Sequence, residues 1–294
     1  MLKEIINGFC MALADSVPGV SGGTIAFIMG FYDKFIGSLH RLVFGGKEEK
    51  KASLSYLARL GLGWAAGMAM AVLVLSSMFE SQIYIVSSVF IGFIAGSIPL
   101  IIKEEKESLR QVGKGIIFCL IGIGLVAGIT WLNGGSGSSV MDLSSFSPWL
   151  AIKLFFIGMI AISAMFLPGI SGSTLLLIFG AYIPVISAVR GILSLNFSYI
   201  PDLMFFVLGV LAGAVTVVKG IKVCLEKFRP RAIYMILGMM IGSFYAIIQG
   251  PASLEIPKAP MSLESFQPAA CLIGAALVLL LQFTKEKSSK RQNA

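Results

Sequence analysis

Charge is scarce in this sequence. Only 13% of its 294 residues are Asp, Glu, Lys or Arg, against about 25% in a soluble domain. Its one histidine, His40 beside Arg41, reads as an interfacial side chain rather than a catalytic one. Four cysteines (Cys10, Cys119, Cys224 and Cys271) are scattered without a C-x-x-C pair. They read as small apolar residues in helices, so no disulfide framework, metal site or cofactor is expected. No Glu lies within an apolar segment between Glu4 and the loops, which leaves a membrane-embedded hydrolase short of an acid.

What is present instead is apolar sequence, at 56% of residues and a mean hydropathy of +0.90. Runs near Leu57–Phe79, Ile83–Ile102, Gly115–Leu132, Pro148–Leu167, Leu175–Val189, Leu203–Val218, Ala232–Ile248 and Ala269–Phe283 each approach the length that crosses a bilayer. The expected class is an all-α polytopic membrane protein. The net charge of +8 sits in short loops beside these runs. That is the signature of membrane orientation, and no nucleic-acid partner is expected.

Glycine and proline appear where a spanning helix should avoid them. Pro18-Gly19-Val20-Ser21-Gly22-Gly23-Thr24 recurs as Pro168-Gly169-Ile170-Ser171-Gly172-Ser173-Thr174, at an offset of 150 residues. The match extends to Gly8/Gly158, Ala14/Ala164, Gly30/Gly180 and Tyr32/Tyr182. Further on, Gly63, Gly67, Gly92, Gly96 and Ser97 match Gly209, Gly213, Gly238, Gly242 and Ser243 at 146. Cys119–Gly122 matches Cys271–Gly274 at 152. The chain therefore reads as one transmembrane domain over 1–284, with repeat one at 1–132, an external loop at 133–147 and repeat two at 148–284. A basic tail over 285–294 would follow.

The N-terminus has the look of a signal peptide, with Lys3, the apolar Ile5–Ala14 and a small-x-small Ala12-Leu13-Ala14. The internal copy at Ile157–Ala164 argues that it is retained. Residues 5–17 give roughly 20 Å of helix before Pro18, too short to cross. The segment reads as a re-entrant hairpin, with two thin crossings the alternative. If each hairpin returns to its own side and six segments cross, 19 of the 23 Lys and Arg fall on the cytoplasmic side and three outside. Both termini are then cytoplasmic. A unit of one hairpin and three crossings is odd in number, so the second repeat lies inverted and the two tips should meet near the midplane. Glycines four apart are expected to let helices pack closely.

Broken helices at matching places in two repeats point to a transporter's substrate site. The first N–H groups of a helix lack partners and carry partial positive charge, so a phosphate or carboxylate could reach Gly22, Gly23 and Thr24. Ser21, Ser171, Gly172, Ser173 and Thr174 add donors, with Pro18, Gly19, Pro168 and Gly169 shaping the turns. Capping of their own helices is the plainer use of these serines. Asp15, whose counterpart is Met165, is costly within a membrane hairpin. It could carry a proton, bind a cation or hydrogen-bond the turn. Arg59 and Arg190 could meet a lipid phosphate or could snorkel.

These paired motifs, with Ala14-Asp15 before the first and Gly30-x-Tyr32 or Gly180-x-Tyr182 after each, resemble a bacterial and archaeal membrane family. It was long filed as a domain of unknown function and is now linked to polyprenyl-phosphate translocation as PopT. The resemblance covers residues 3–284. It implies a flippase that returns undecaprenyl phosphate from the outer to the inner leaflet for cell-envelope synthesis. Membrane lipids would be its other partners, and a homodimer remains open. A transporter of a small soluble anion is the alternative. The undecaprenyl-pyrophosphate phosphatases carry a Pro-Gly-x-Ser-Arg-Ser-type loop, but here Gly22 and Gly172 stand at the Arg position, so hydrolysis is poorly supported and no enzyme is expected.

Overall fold

A computed structural model describes residues 1–16, 21–71, 76–110, 112–135, 147–170, 172–179, 181, 184–185, 188, 200–253 and 258–292. Pro18, Gly19, Ser171 and Arg190, and the side chains of Ser173 and Thr174, lie outside this set. All regular structure among the described residues is helical. In chain order the helices of four residues or more are α1 (Leu2–Asp15), α2 (Gly22–Ile28), α3 (Tyr32–Phe44), α4 (Lys47–Met70), α5 (Ser76–Glu104) and α6 (Val112–Gly135). Then come α7 (Pro148–Phe166), α8 (Gly172–Ile178), α9 (Ile200–Lys227), α10 (Arg229–Gln249), a 3-10 turn at Gly250–Ser253 and α11 (Pro268–Gln292).

Among the described residues, five stretches are long and apolar enough to cross a membrane: Gln82–Glu104, Gly115–Leu132, Pro148–Phe166, Leu203–Lys227 and Arg229–Ala252. The surface carries Leu62, Trp131, Trp149, Leu211 and Leu272 at two-thirds exposure or near it. In water that would be a liability; facing acyl chains it is the stable arrangement. Trp131 and Trp149 flank the Gly- and Ser-rich 133–147 sequence, and aromatic residues are favoured at membrane interfaces. The protein is a multi-pass membrane protein.

Within the apolar run 57–79, α4 is described to Met70 and α5 from Ser76. A break follows at Gln82, whose backbone (φ −117°, ψ 29°) leaves the helical region beside the polar Glu80-Ser81. The last helix runs on to Gln292, past the expected boundary at 284, since its Lys- and Glu-rich end suits a helix as well as a tail.

α3 has a buried face and an outward one. Tyr32, Phe35 and Ile36 are buried, while Asp33 and Lys34 face outward. Gly30 at φ 70° makes the turn between α2 and α3. Such a backbone is strained for any residue with a side chain.

Glycines set the helix pairs. A Cβ on Gly63 would overlap the carbonyl oxygen of Ile5, and one on Gly67 would lie 2.7 Å from that of Phe9. Residue numbers rise together along both helices, so α1 and α4 run parallel in backbone contact. The same contacts recur in α7 and α9, where Gly209 meets Phe155 and Gly213 meets Met159. Across the two halves, Gly92 and Gly96 of α5 meet Cys271 and Ala275 of α11. Their counterparts Gly238 and Gly242 of α10 meet Cys119 and Ile123 of α6. Each contact in one half thus has its partner contact in the other.

At these positions a methyl group has no room. Gly92→Ala overlaps the Cys271 carbonyl and is expected to destabilise by about 1–3 kcal/mol. Gly124 has open space around it, so Gly124→Ala should change stability by less than about 0.5 kcal/mol. Thermal unfolding of the two variants in detergent checks the contrast, which equal melting temperatures would erase.

Candidate functional site

The two glycine-rich tips meet. Ser21 takes an extended backbone (φ −129°, ψ 148°) and caps α2, its hydroxyl accepting from the Thr24 N–H at 3.3 Å. That leaves the Thr24 hydroxyl pointing out of the turn. Thr24 Oγ1 accepts from the Gly169 N–H at 2.7 Å, and Ser21 Oγ approaches the same N–H at 3.3 Å. In return Ser21 Oγ donates to the Leu167 carbonyl at 3.3 Å. Ser21 and Thr24 are each 1% exposed.

Gly23 and Gly169 are needed for this contact. A Cβ on Gly23 would lie 3.2 Å from the carbonyls of Phe166 and Leu167, so tip two rests on its bare backbone. Gly169 has φ +88°, and a side chain there would also crowd the Met239 carbonyl and the Ser243 hydroxyl. Two further groups grip the same loop. Tyr32 OH donates to the Phe166 carbonyl at 2.8 Å, and Ser243 Oγ lies 3.4 Å from the Gly169 carbonyl. The Thr24, Ser21 and Tyr32 bonds complete backbone groups that hydrocarbon could not satisfy, while the Ser243 hydroxyl donates at 2.9 Å to the Met239 carbonyl and only approaches Gly169.

Asp15 is bound on both carboxylate oxygens. Oδ1 accepts from the Gly22 N–H at 2.6 Å and Oδ2 from Trp64 Nε1 at 3.0 Å. It thereby fills the start of α2 with a carboxylate, the kind of group that helix end favours. Of the three roles open to it in the sequence, bonding the turn is the one seen directly. The second tip differs. Met165 Cγ stands where a Cβ on Gly172 would come within 2.5 Å, and the counterpart of Trp64 is Val210. A polar pair in one half is matched by an apolar pair in the other.

Of the proposed phosphate ligands, then, Ser21, Gly22, Gly23 and Thr24 come together with Gly169 and Pro168 at a single junction. The Ser21 and Thr24 hydroxyls bond the other tip, and the Gly22 N–H bonds Asp15. Arg59 stands apart, half-buried and bonded to Ser55. Sequence reasoning missed Trp64, Tyr32 and Ser243, although the Tyr32/Tyr182 and Ser97/Ser243 matches were signals. It also counted Arg229 only as an orienting charge. Arg229 donates from Nε and Nη2 to the two oxygens of Glu105 and from Nη1 to Asp33 Oδ2 at 3.0 Å.

Comparison with known proteins assigns a family. The family described as "VCA0040-like: Undecaprenyl phosphate translocase-like" matches residues 11–264. The chain belongs to that family. It is 36% identical over 214 residues to a polyprenyl-phosphate transporter of Staphylococcus aureus, covering 71% of this chain and 73% of that protein. It is 32% identical over 200 residues to a polyprenyl-phosphate transporter of Vibrio cholerae, covering 64% of this chain and 60% of that one. No solved structure matches.

The Thr24–Gly169 bond is the closest of the tip contacts with a side chain that can be removed. Thr24→Val keeps the shape and leaves the buried Gly169 N–H with only the longer Ser21 contact. A loss of about 1–3 kcal/mol is expected, with Thr24→Ser close to the parent protein. Melting temperatures of purified proteins read both, and an unaffected Thr24→Val would mean the junction is held elsewhere.

Proposed function

We propose that this protein moves a polyprenyl phosphate, undecaprenyl phosphate foremost, from the outer to the inner leaflet of the cytoplasmic membrane without breaking a bond. Family membership supports the substrate class, and the names of two relatives support transport. The observation that carries the mechanism is the junction of the two tips, where Thr24 of one meets Gly169 of the other.

The helix directions support an inverted repeat. Parallel pairing of α1 with α4 requires the segment between them to return to the side where it began. That fits a re-entrant hairpin, as does an α1 of 14 residues. If α4, α5 and α6 cross alternately, and α9 and α10, joined by the single residue Phe228, do likewise, the parallel pair α6 and α10 sets α7 opposite to α1. The basic side is then cytoplasmic, in keeping with the distribution of Lys and Arg. Hairpin one enters from the cytoplasm and hairpin two from outside, so exchange of tip contacts would expose the junction to either leaflet in turn. The headgroup would bond the backbone N–H groups and hydroxyls that the tips now offer each other, while the isoprenoid chain stays in lipid.

Asp15 is the coupling group in this reading. Its carboxylate holds the Gly22 N–H that an entering phosphate would take, so protonation of Asp15 and phosphate binding favour each other by charge. A soluble anion would use the same groups, but the family description favours the lipid.

Proteoliposomes containing undecaprenyl phosphate test this directly. The parent protein should abolish the sidedness of headgroup accessibility far faster than empty liposomes, at a rate that responds to an imposed pH gradient. Asp15→Asn should remove that response. Unchanged sidedness under gradients of both signs would overturn the lipid reading, and an Asp15→Asn protein with the parent's pH response would remove Asp15 from the coupling.

A further inference from the structure

On the basic side of the molecule, Arg229 joins three separate elements. It opens α10, Glu105 follows α5, and Asp33 lies in the first turn of α3. The two carboxylates hold it unequally. Glu105, with its side chain 17% exposed, receives Nε and Nη2 together in a two-pronged contact. Asp33, 55% exposed, receives Nη1 alone at 3.0 Å. Paired, partly buried contacts of a guanidinium are the strong kind. A single exposed ion pair contributes little and opens readily. The Arg229–Glu105 contact is therefore a fixture, and the Arg229–Asp33 contact a latch.

The latch lies between two elements that grip tip two. Tyr32, next to Asp33, donates to the Phe166 carbonyl. Arg229 belongs to the helix whose Ser243 and Met239 pack against Gly169. The ion pair is the polar tie between α3 and α10, so parting Asp33 from Arg229 lets the two grips separate. A second tie between α3 and the other half, His40 Nδ1 to Lys222 Nζ at 3.2 Å, joins an imidazole to an ammonium that already has Glu226 beside it. The sequence repeats no such latch on the opposite side. A shift of 150 sets Ile183 against Asp33, and a shift of 146 sets Ile83 against Arg229. The two sides are thus closed by different means.

We propose that Asp33 and Arg229 form the gate on the basic side of the translocation path. Closed, the pair shuts the joined tips from that side. Opened, with Glu105 keeping Arg229 in place, it offers the freed guanidinium edge to a departing phosphate monoester. This rests on the translocation reading above.

Distances between nitroxide labels test the gate without substrate, so the result is separate from that of the liposome assay. The four native cysteines are replaced by serine, and labels are placed at Val43→Cys on α3 and Lys227→Cys at the end of α9. The parent background should give one short distance. Asp33→Asn should add a second, longer population with an unchanged melting temperature, because only the latch is lost. Glu105→Gln should instead lower the melting temperature. Identical distance distributions for Asp33→Asn and the parent background, both folded, would overturn the proposal. A longer population appearing equally with Asp33→Asn and with a distant charge removal, Lys258→Gln, would overturn it too.

Discussion

One backbone N–H shapes the centre of this molecule. Gly169 lies in a break between two helices of a bilayer protein, where neither an i−4 carbonyl nor bulk water is at hand. An N–H left bare there costs several kcal/mol. Thr24 Oγ1 meets it from the other half of the chain, 145 residues away. The hydroxyl is available because Ser21, rather than Thr24, caps α2. Most of the geometry around the junction serves that bond: bare backbone at Gly23, left-handed backbone at Gly169, and the Tyr32 and Ser243 hydroxyls on the flanking carbonyls.

A junction so made can be remade. Its bonds are between neutral groups, each accepted or donated by a partner that a phosphate oxygen or another hydroxyl could replace at similar energy. Dispersion and glycine-mediated backbone contact hold the helix pairs around it, and those pairs are matched between the two halves. Rigid pairs around an exchangeable polar centre are what a carrier of a charged headgroup requires. Among the polar groups described above, the halves differ at Asp15 and Trp64 against Met165 and Val210, and at Asp33 and Arg229 against Ile183 and Ile83. A perfectly symmetric protein would have no reason to favour either leaflet, so direction and coupling are to be sought in these residues.

Much of this was legible in the sequence. Offsets of 150, 146 and 152 located the two tips and the glycine pairs, and those glycines do meet backbone across helix interfaces. Membrane class followed from the near absence of charge. What could not be read was the use of each polar group. Ser21 and Thr24 look the same whether they await a ligand or bond another tip, since one hydroxyl serves both purposes. Trp64 was invisible as a partner of Asp15 because the contact spans 49 residues and has no motif. Arg229 was hidden among basic residues that orient the chain.

The account turns on where a bound phosphate sits. Electron cryomicroscopy of the full protein in lipid nanodiscs with undecaprenyl phosphate would show this most directly. Phosphate density at the tip junction, with the Asp15 carboxylate displaced from the Gly22 N–H, is the predicted result. Headgroup density confined to the bilayer surface, with Asp15 still on Gly22 and Thr24 still on Gly169 in every class of particle, would contradict it.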